Sequence, residues 1–482
     1  MRPDVLPRVA SEPVGGPLGT YADPVGRWRR VVARIVPLVW IPLVISILQK
    51  ERCVRFGWGG QDQFWRECFS DLPAQYSLGN LATGIGGYLD GRAHLEQPVV
   101  AGSVMSLLGG LVPGNVSPMD QSRTYVLYWV ILVTVLLAAT VWCTAHLVPG
   151  NVQAATQVAL SPVIVTAALL SSDMLAVALV AGAMLAWARG RHTVTGVLLG
   201  IGTMTRGYVA LVALALLIAA VRTDTLAQAR RAAVTALATA GAIAAVFLVV
   251  QRPALTAVYS GWWQAKAGYG SPWLLPRTIA CDVPACTTQQ TESGFMRWIF
   301  HLGGVELPVW TVTTLALLGI VLALVMGRIF TRESYAAPTW AQVAFVVVAL
   351  AMMTGKSLPV QASLWLLPLA AASGVRWRDM LIWAGTEIAY YIAVWLYIGA
   401  LTRPDRALPG PWYALFLVIR LGGIGWLVSR VWQAARYPST RGRHEAAGPE
   451  DVMLAPPTGR SVGAADSPEP AFATRSAGPR QP

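Results

Sequence analysis

Thr193-Val-Thr-Gly-Val-Leu-Leu-Gly-Ile-Gly-Thr-Met-Thr-Arg-Gly-Tyr-Val-Ala-Leu-Val-Ala-Leu-Ala-Leu-Leu-Ile-Ala-Ala-Val221 is the stretch on which the topology turns. It is apolar throughout except at Thr203-Met204-Thr205-Arg206-Gly207. One continuous helix of this length would measure over ~40 Å, well beyond a ~30 Å hydrocarbon core. Arg189 and Arg191 precede it, and Arg222, Arg230 and Arg231 follow it. Short basic loops stay on the cytoplasmic side of a membrane. Both ends therefore belong on one side, and the run must go out and come back. The polar break at 203–207 supplies the turn. Each half is then ~18–22 Å long, with Arg206 in or near the outer leaflet.

The rest of the chain fits a polytopic helical membrane protein. Of 482 residues, 55% are hydrophobic and 13% charged, against roughly a quarter charged in a soluble domain. Mean hydropathy is +0.52. Further apolar runs lie at 31–49, 97–113, 124–146, 152–171, 174–188, 232–250, 307–327, 339–354, 361–375, 380–401 and 411–434. The loops at 328–332 and 376–378 are also short and basic. Parity then leaves no crossing for 97–113, which is short and contains Gly102, Gly109, Gly110 and Pro113. It reads as re-entrant or in-plane, which is permitted where protein covers it.

The expected fold is an all-α transmembrane bundle of about 12 crossings plus that segment. Its parts are a cytoplasmic N-terminal segment 1–30, a membrane domain 31–435 and a cytoplasmic tail 436–482. The tail is rich in Pro, Ala, Gly, Ser and Arg and should be disordered. Loops 50–96 and 251–306 lie outside. No signal-peptide apolar region precedes the first run. The net charge of +13 comes from 37 basic and 24 acidic residues. It reports the positive-inside rule rather than a nucleic-acid partner.

Cys53, Cys68, Cys281 and Cys286 fall in the two outer loops, where thiols oxidise. Local pairing, 53 with 68 and 281 with 286, is one of three connectivities. The histidines show no ligand spacing, and Cys-x4-Cys without a nearby His is a poor zinc site. No metal or cofactor is expected.

Ionisable groups at apolar helix ends on the outer side form a short set: Asp71, Glu96, Asp173, Arg206, Lys266 and Lys356, with Ser271 and Gln361 beside them. Carboxylates facing cations suit proton abstraction next to an anionic lipid. Each has a plainer reading. Asp173 stands where a helix cap stands. Arg206 can snorkel to headgroups, and the lysines can anchor an interface. Asp71 lies in a polar loop, where an Asp is unremarkable. Glu387, inside 380–401, reads as structural with a partner on a neighbouring helix.

Four segments, in order, resemble one family. They are Cys68-Phe-Ser-Asp-Leu-Pro73 with Tyr76, Glu96-Gln-Pro-Val-Val-Ala-Gly102, Ser171-Ser-Asp-Met-Leu-Ala-Val-Ala178 with Arg206-Gly-Tyr208, and Gly355-Lys-Ser-Leu-Pro-Val-Gln-Ala-Ser-Leu-Trp-Leu-Leu-Pro368. Together with Gly270-Ser271 and Trp273, they are similar to the actinobacterial polyprenol-phosphate-mannose-dependent alpha-mannosyltransferases of the GT-C superfamily. The resemblance covers roughly 30–400.

It implies a plasma-membrane enzyme with an extracytoplasmic site. A sugar, mannose in the type family, would pass with inversion from polyprenyl phosphate to a cell-envelope glycolipid or polysaccharide. Asp71 would be the base. Arg206, Lys356 and Lys266 would bind the donor phosphate. Glu96, Asp173, Ser271 and Gln361 would line the sugar or acceptor. Membrane lipids are the other expected partners. The chain departs from the family at Ser171-Ser172 (Asn-Trp there), Arg206 (Lys), Gly355 (Asn) and Gln97 (Tyr). The reading from a different class is a non-catalytic membrane scaffold or transporter of the cell envelope. No internal repeat supports a transporter.

Overall fold

The computed structural model describes residues 24–58, 62–148, 151–280, 307–401 and 408–436. The tail beyond Arg436, residues 1–23 and the expected Cys281–Cys286 pair lie outside the described residues. Among the described residues the structure is helical, with no strand.

Among the described residues, six helices are long and apolar enough to cross a membrane. They are α1 (Trp28–Gln49), α4 (Pro118–Leu147), α9 (Leu226–Val250), α11 (Val309–Glu333), α14 (Trp377–Gly399) and α15 (Gly410–Arg436). Between them run shorter helices: α2 (Asp71–Leu78), α3 (Val99–Gly110), α5 (Val152–Ala167), α6 (Met174–Ala188), α7 (His192–Thr203), α8 (Tyr208–Ala220), α10 (Arg252–Gln264), α12 (Trp340–Met353) and α13 (Ser363–Ala372).

Long and short helices differ in where they sit. The apolar window of α9 is only 6% buried, leaving Val234, Leu237 and Val249 exposed. In α12 every residue but Gln342, Leu350 and Met353 is buried. A helix apolar on all sides is stable when neighbours cover it, and α8, α11, α13 and α15 pack around α12. A capping box starts α12: Thr339 and Gln342 each bond the other's backbone N–H.

The break at 203–207 is real. Helix α7 ends at Thr203 and α8 begins at Tyr208, and the Arg206 N–H donates to the Gly202 carbonyl at 2.8 Å. Helix α7 lies against α9 because Gly196 and Gly200 present bare backbone. A Cβ there would meet the Ala232 and Ala236 carbonyls at 2.4 and 2.6 Å.

The segment expected to be re-entrant is α3. At 12 residues it reaches only ~18 Å. Glycines seat it: a Cβ at Gly102 would strike the Tyr88 hydroxyl, and one at Gly109 the Leu81 carbonyl. Its N-terminus is tied to the break, the Val100 N–H donating to the Met204 carbonyl at 3.1 Å.

Candidate functional site

The turn carrying Asp71 is fixed from several directions. Cys53 and Cys68 form a disulfide with Cα atoms 5.7 Å apart. Gln49 and Tyr391 both donate to the Glu67 carbonyl. Glu67 has φ +53°, a left-handed conformation uncommon outside glycine. Ser70 is extended, and its hydroxyl accepts from the Leu72 N–H and donates to the Leu169 carbonyl at 2.8 Å. Ser70 thus caps α2, and the Asp71 N–H donates to the Leu170 carbonyl at 2.9 Å. The Asp71 side chain is left to face inward from the first turn of α2.

It faces a second carboxylate already engaged. Asp173 occupies the position before α6 but makes no capping bond. Its backbone is helical (φ −63°, ψ −25°), whereas capping needs extended dihedrals. The carboxylate turns into the bundle instead. Oδ1 accepts from Arg206 Nε at 2.6 Å and from its NH2 at 2.5 Å. Oδ2 accepts from Trp365 Nε1 at 2.8 Å. Tyr208 stacks on Trp365, ring centroids 4.5 Å apart. The plainer reading of Asp173 as a cap therefore gives way to an ion pair. Trp365 and Tyr208 thus put two stacked aromatic rings beside Asp173, a role the sequence reading did not give them.

Burial pushes the Asp71 carboxyl up to about 6, helped by the charge of Asp173 and opposed by Arg206 and Lys50. Lys50, 2% exposed, was not anticipated. It donates to the Phe69 carbonyl at 2.9 Å. Burial lowers its ammonium to about 7, against the pull of Asp71. One signal was available: Lys50 is one of only three lysines and directly follows the first apolar run.

Asp71 opens on a cavity of about 380 Å³. Phe64, Phe69 and Trp395 wall one side, with centroids 5.2 Å (Phe64–Phe69) and 4.8 Å (Phe69–Trp395) apart. Tyr269, Ser357 and Gln361 form the other. Two cross-linked loops deliver that far wall. The Leu358 N–H donates to the Tyr269 carbonyl at 3.1 Å and the Gly268 N–H to the Lys356 carbonyl at 2.8 Å. Gly270 has φ +80°, and a Cβ there would sit 2.0 Å from the Leu358 oxygen.

Beneath the loops lies a buried ion pair. Arg420 Nε donates to Glu387 Oε2 at 2.8 Å, with the side chains 0% and 1% exposed. Arg420 also donates to the Pro359 carbonyl at 3.0 Å and to that of Leu358. Glu387 has the neighbouring-helix partner expected of it. Arg420 was legible as an arginine inside an apolar run.

A slightly larger cleft, about 410 Å³, lies at the other end of α6 beside Trp187, Thr223 and Trp340. Its lining holds no ionisable side chain, whereas the cavity beside Trp395 has Asp71.

The expected residues do not all converge. Asp71 and Gln361 line the cavity, and Asp173 and Arg206 adjoin Asp71. Lys356 is elsewhere. Its ammonium donates to the Trp262, Ala265 and Trp263 carbonyls at 2.7, 3.2 and 3.3 Å and lies 4.4 Å from the Trp262 ring. A cation there satisfies the open carbonyls at the C-terminus of α10, and it lies off the cavity lining. Ser271 is 0% exposed, donates to the Gly355 carbonyl at 2.8 Å and accepts from the Trp273 N–H, so it supports the loop and is off the cavity lining. Lys266 is exposed on the segment after α10, off the cavity lining. Glu96 is exposed just before α3, also off the lining. Among the described residues no three His, Cys, Asp or Glu side chains gather as a metal-ligand set. No protein-family model and no curated protein matches this chain.

Proposed function

We propose that this chain is a membrane glycosyltransferase. In this reading it moves a sugar, mannose in the first instance, from a polyprenyl phosphate to a hydroxyl of a cell-envelope glycolipid or polysaccharide. The reading includes a plasma-membrane location, cytoplasmic termini, about twelve crossings with α3 non-crossing, and a site on the extracytoplasmic face. The observation that carries it is Asp71: a carboxyl raised to about 6 by burial, at the wall of an aromatic cavity, beside the Arg206–Asp173 pair.

Asp71 takes the proton of the acceptor hydroxyl. A carboxyl near 6 is mostly ionised at neutral pH yet basic enough to accept a proton. The acceptor oxygen bonds the anomeric carbon as the bond to the phosphate oxygen breaks on the opposite face, and the configuration inverts. The leaving phosphate gains negative charge. Arg206 uses Nε and NH2 on Asp173, which leaves the other edge of its fork for a phosphate oxygen. Asp173 and Trp365 orient that fork, and charge placed in advance lowers the barrier most. The walls of Phe64, Phe69 and Trp395 offer sugar rings apolar faces.

The test is sugar transfer from polyprenyl-phosphate-mannose to endogenous acceptors in membranes carrying Asp71→Asn. Transfer should fall at least ~100-fold with unchanged protein level. Wild-type transfer by this variant would remove Asp71 as base, and the enzyme reading with it.

A further inference from the structure

Helix α9 stops at Val250, and the chain turns at Gln251 (φ −151°, ψ 75°) into α10. The end of α9 is apolar and bare: Val246, Leu248, Val249 and Val250 are all exposed, as on a surface that meets lipid. With 13 residues, α10 reaches only ~20 Å and cannot cross a ~30 Å hydrocarbon core. Its side chains divide into three faces. Ala254, Leu255 and Val258 are buried or half-buried, toward the bundle. Thr256, Ser260 and Gln264, four apart, form an exposed polar stripe. Tyr259, Trp262 and Trp263, at i, i+3 and i+4, form an exposed aromatic stripe between these two.

The aromatic stripe is held in place. The Lys356 ammonium ties down the last carbonyls of α10 and lies 4.4 Å from the Trp262 ring. Trp263 stands edge-on to Trp262, centroids 5.2 Å apart, and is still 55% exposed. Two more exposed tryptophans stand at this end of the bundle. Trp310, 72% exposed, opens α11, which packs on α10. Trp412, 56% exposed, opens α15, and its neighbour Tyr413 accepts from the Gly270 N–H at 3.0 Å, on the segment that follows α10. Side chains with an apolar body and a polar edge gather where a hydrocarbon core meets lipid headgroups.

We propose that α10 is an in-plane helix seated on a phospholipid surface, with Tyr259, Trp262 and Trp263 turned into the bilayer and Thr256, Ser260 and Gln264 turned to water. The exposed valines ending α9 lead directly into the aromatic stripe, and Trp310 and Trp412 extend it around the bundle, so lipid is the occupant continuous with the neighbouring surfaces. The seat reaches the cavity as well. Lys356, pinned to the end of α10, belongs to the loop whose Ser357 and Gln361 wall that cavity, and the bilayer thereby sets the level of the wall.

None of this depends on sugar transfer, and the test does without it. Full-length protein is reconstituted in vesicles of phosphatidylcholine and phosphatidylglycerol, with the photo-crosslinker benzoylphenylalanine at one position at a time. Adducts formed on irradiation are identified by mass spectrometry on the peptide that carries the position. Trp263→benzoylphenylalanine and Tyr259→benzoylphenylalanine should form phospholipid adducts severalfold more often than Ser260→benzoylphenylalanine. All three positions are exposed, so the substitutions disturb little packing. Should one fail to accumulate, the other aromatic position, with Gln264→benzoylphenylalanine as a second polar control, decides. Equal lipid yields on the two stripes overturn the proposal. So does a cross-link from position 263 to residues 281–306 or to a second copy of the chain in place of lipid.

Discussion

Arg420→Met should be among the most damaging single substitutions in this chain, and its cost can be worked from the contacts. The guanidinium is fully buried, with one donor on Glu387 and others on the Pro359 and Leu358 carbonyls. It also stacks 4.4 Å from the Tyr390 ring. Removing one partner of a buried ion pair costs about 3–5 kcal/mol, because the other charge stays behind uncompensated. Two carbonyls losing their donors add about 1 kcal/mol each. The single change should therefore cost about 5–7 kcal/mol.

Glu387→Gln in the same background removes the stranded charge while keeping an acceptor for Trp383, which donates to Glu387 at 3.2 Å. The double variant should recover about half the loss, a coupling of about 3 kcal/mol. Unfolding in mixed detergent micelles, followed by tryptophan fluorescence from the chain's 20 tryptophans, measures all four corners of the cycle. Hydrogen exchange should rise first at 355–361, the loop Arg420 holds. A single-variant loss under about 1 kcal/mol, or a coupling near zero, would refute the argument that this pair supports the cavity wall.

The remaining predictions concern the same wall and its opposite. Gly270→Ala combines φ +80° with a Cβ placed 2.0 Å from the Leu358 oxygen, so the 268–271 turn must move. We expect a loss of about 3 kcal/mol or failure to accumulate, whereas Gly207→Ala, which has nothing within 4 Å, should be silent by the same unfolding assay. For Asp71, the folded carboxyl is raised to about 6 from 3.8, so the native state binds the proton more tightly than the unfolded chain. Its contribution is therefore fully present below the unfolded value and is lost as pH climbs through about 6. Asp71→Asn should gain stability over wild type across that window, on the order of 3 kcal/mol, then hold a constant lead. A stability gap that is flat from pH 4 to 7 would contradict the burial argument.

The sequence made the outline legible where long-range rules operate. Arg189, Arg191, Arg222, Arg230 and Arg231 bracket the 193–221 run, and the break they demand at 203–207 is present. Asp71, Asp173 and Arg206 could be chosen because ionisable groups at apolar helix ends are few. What each side chain does there was less legible, since it depends on partners far along the chain. Asp173 stands where a cap would stand, but its Oδ2 meets Trp365, 192 positions away. Lys356 was expected at a donor phosphate as an outer-side cation; the carbonyls that take its protons, Trp262, Trp263 and Ala265, lie at the end of α10, a helix not anticipated in the 251–306 loop. Lys50, at the end of the first apolar run, and Arg420, inside the last, were given no role. Each is buried only because elements distant in sequence close over it.

The Cys53–Cys68 bond has a consequence for biogenesis. It joins the stretch that begins with Lys50 to the stretch that ends at Asp71, so the two sides of the turn are secured only once both thiols are oxidised. In a reducing cytosol that bond is not maintained, and a newly made chain would carry its carboxylate on an untethered turn. The protein's competence is in this sense dated. On the proposed extracytoplasmic placement of this loop it arrives after insertion, when residues 53 and 68 share an oxidising compartment. Material produced in a host that cannot oxidise this pair would be folded in its helices and unfinished at its site.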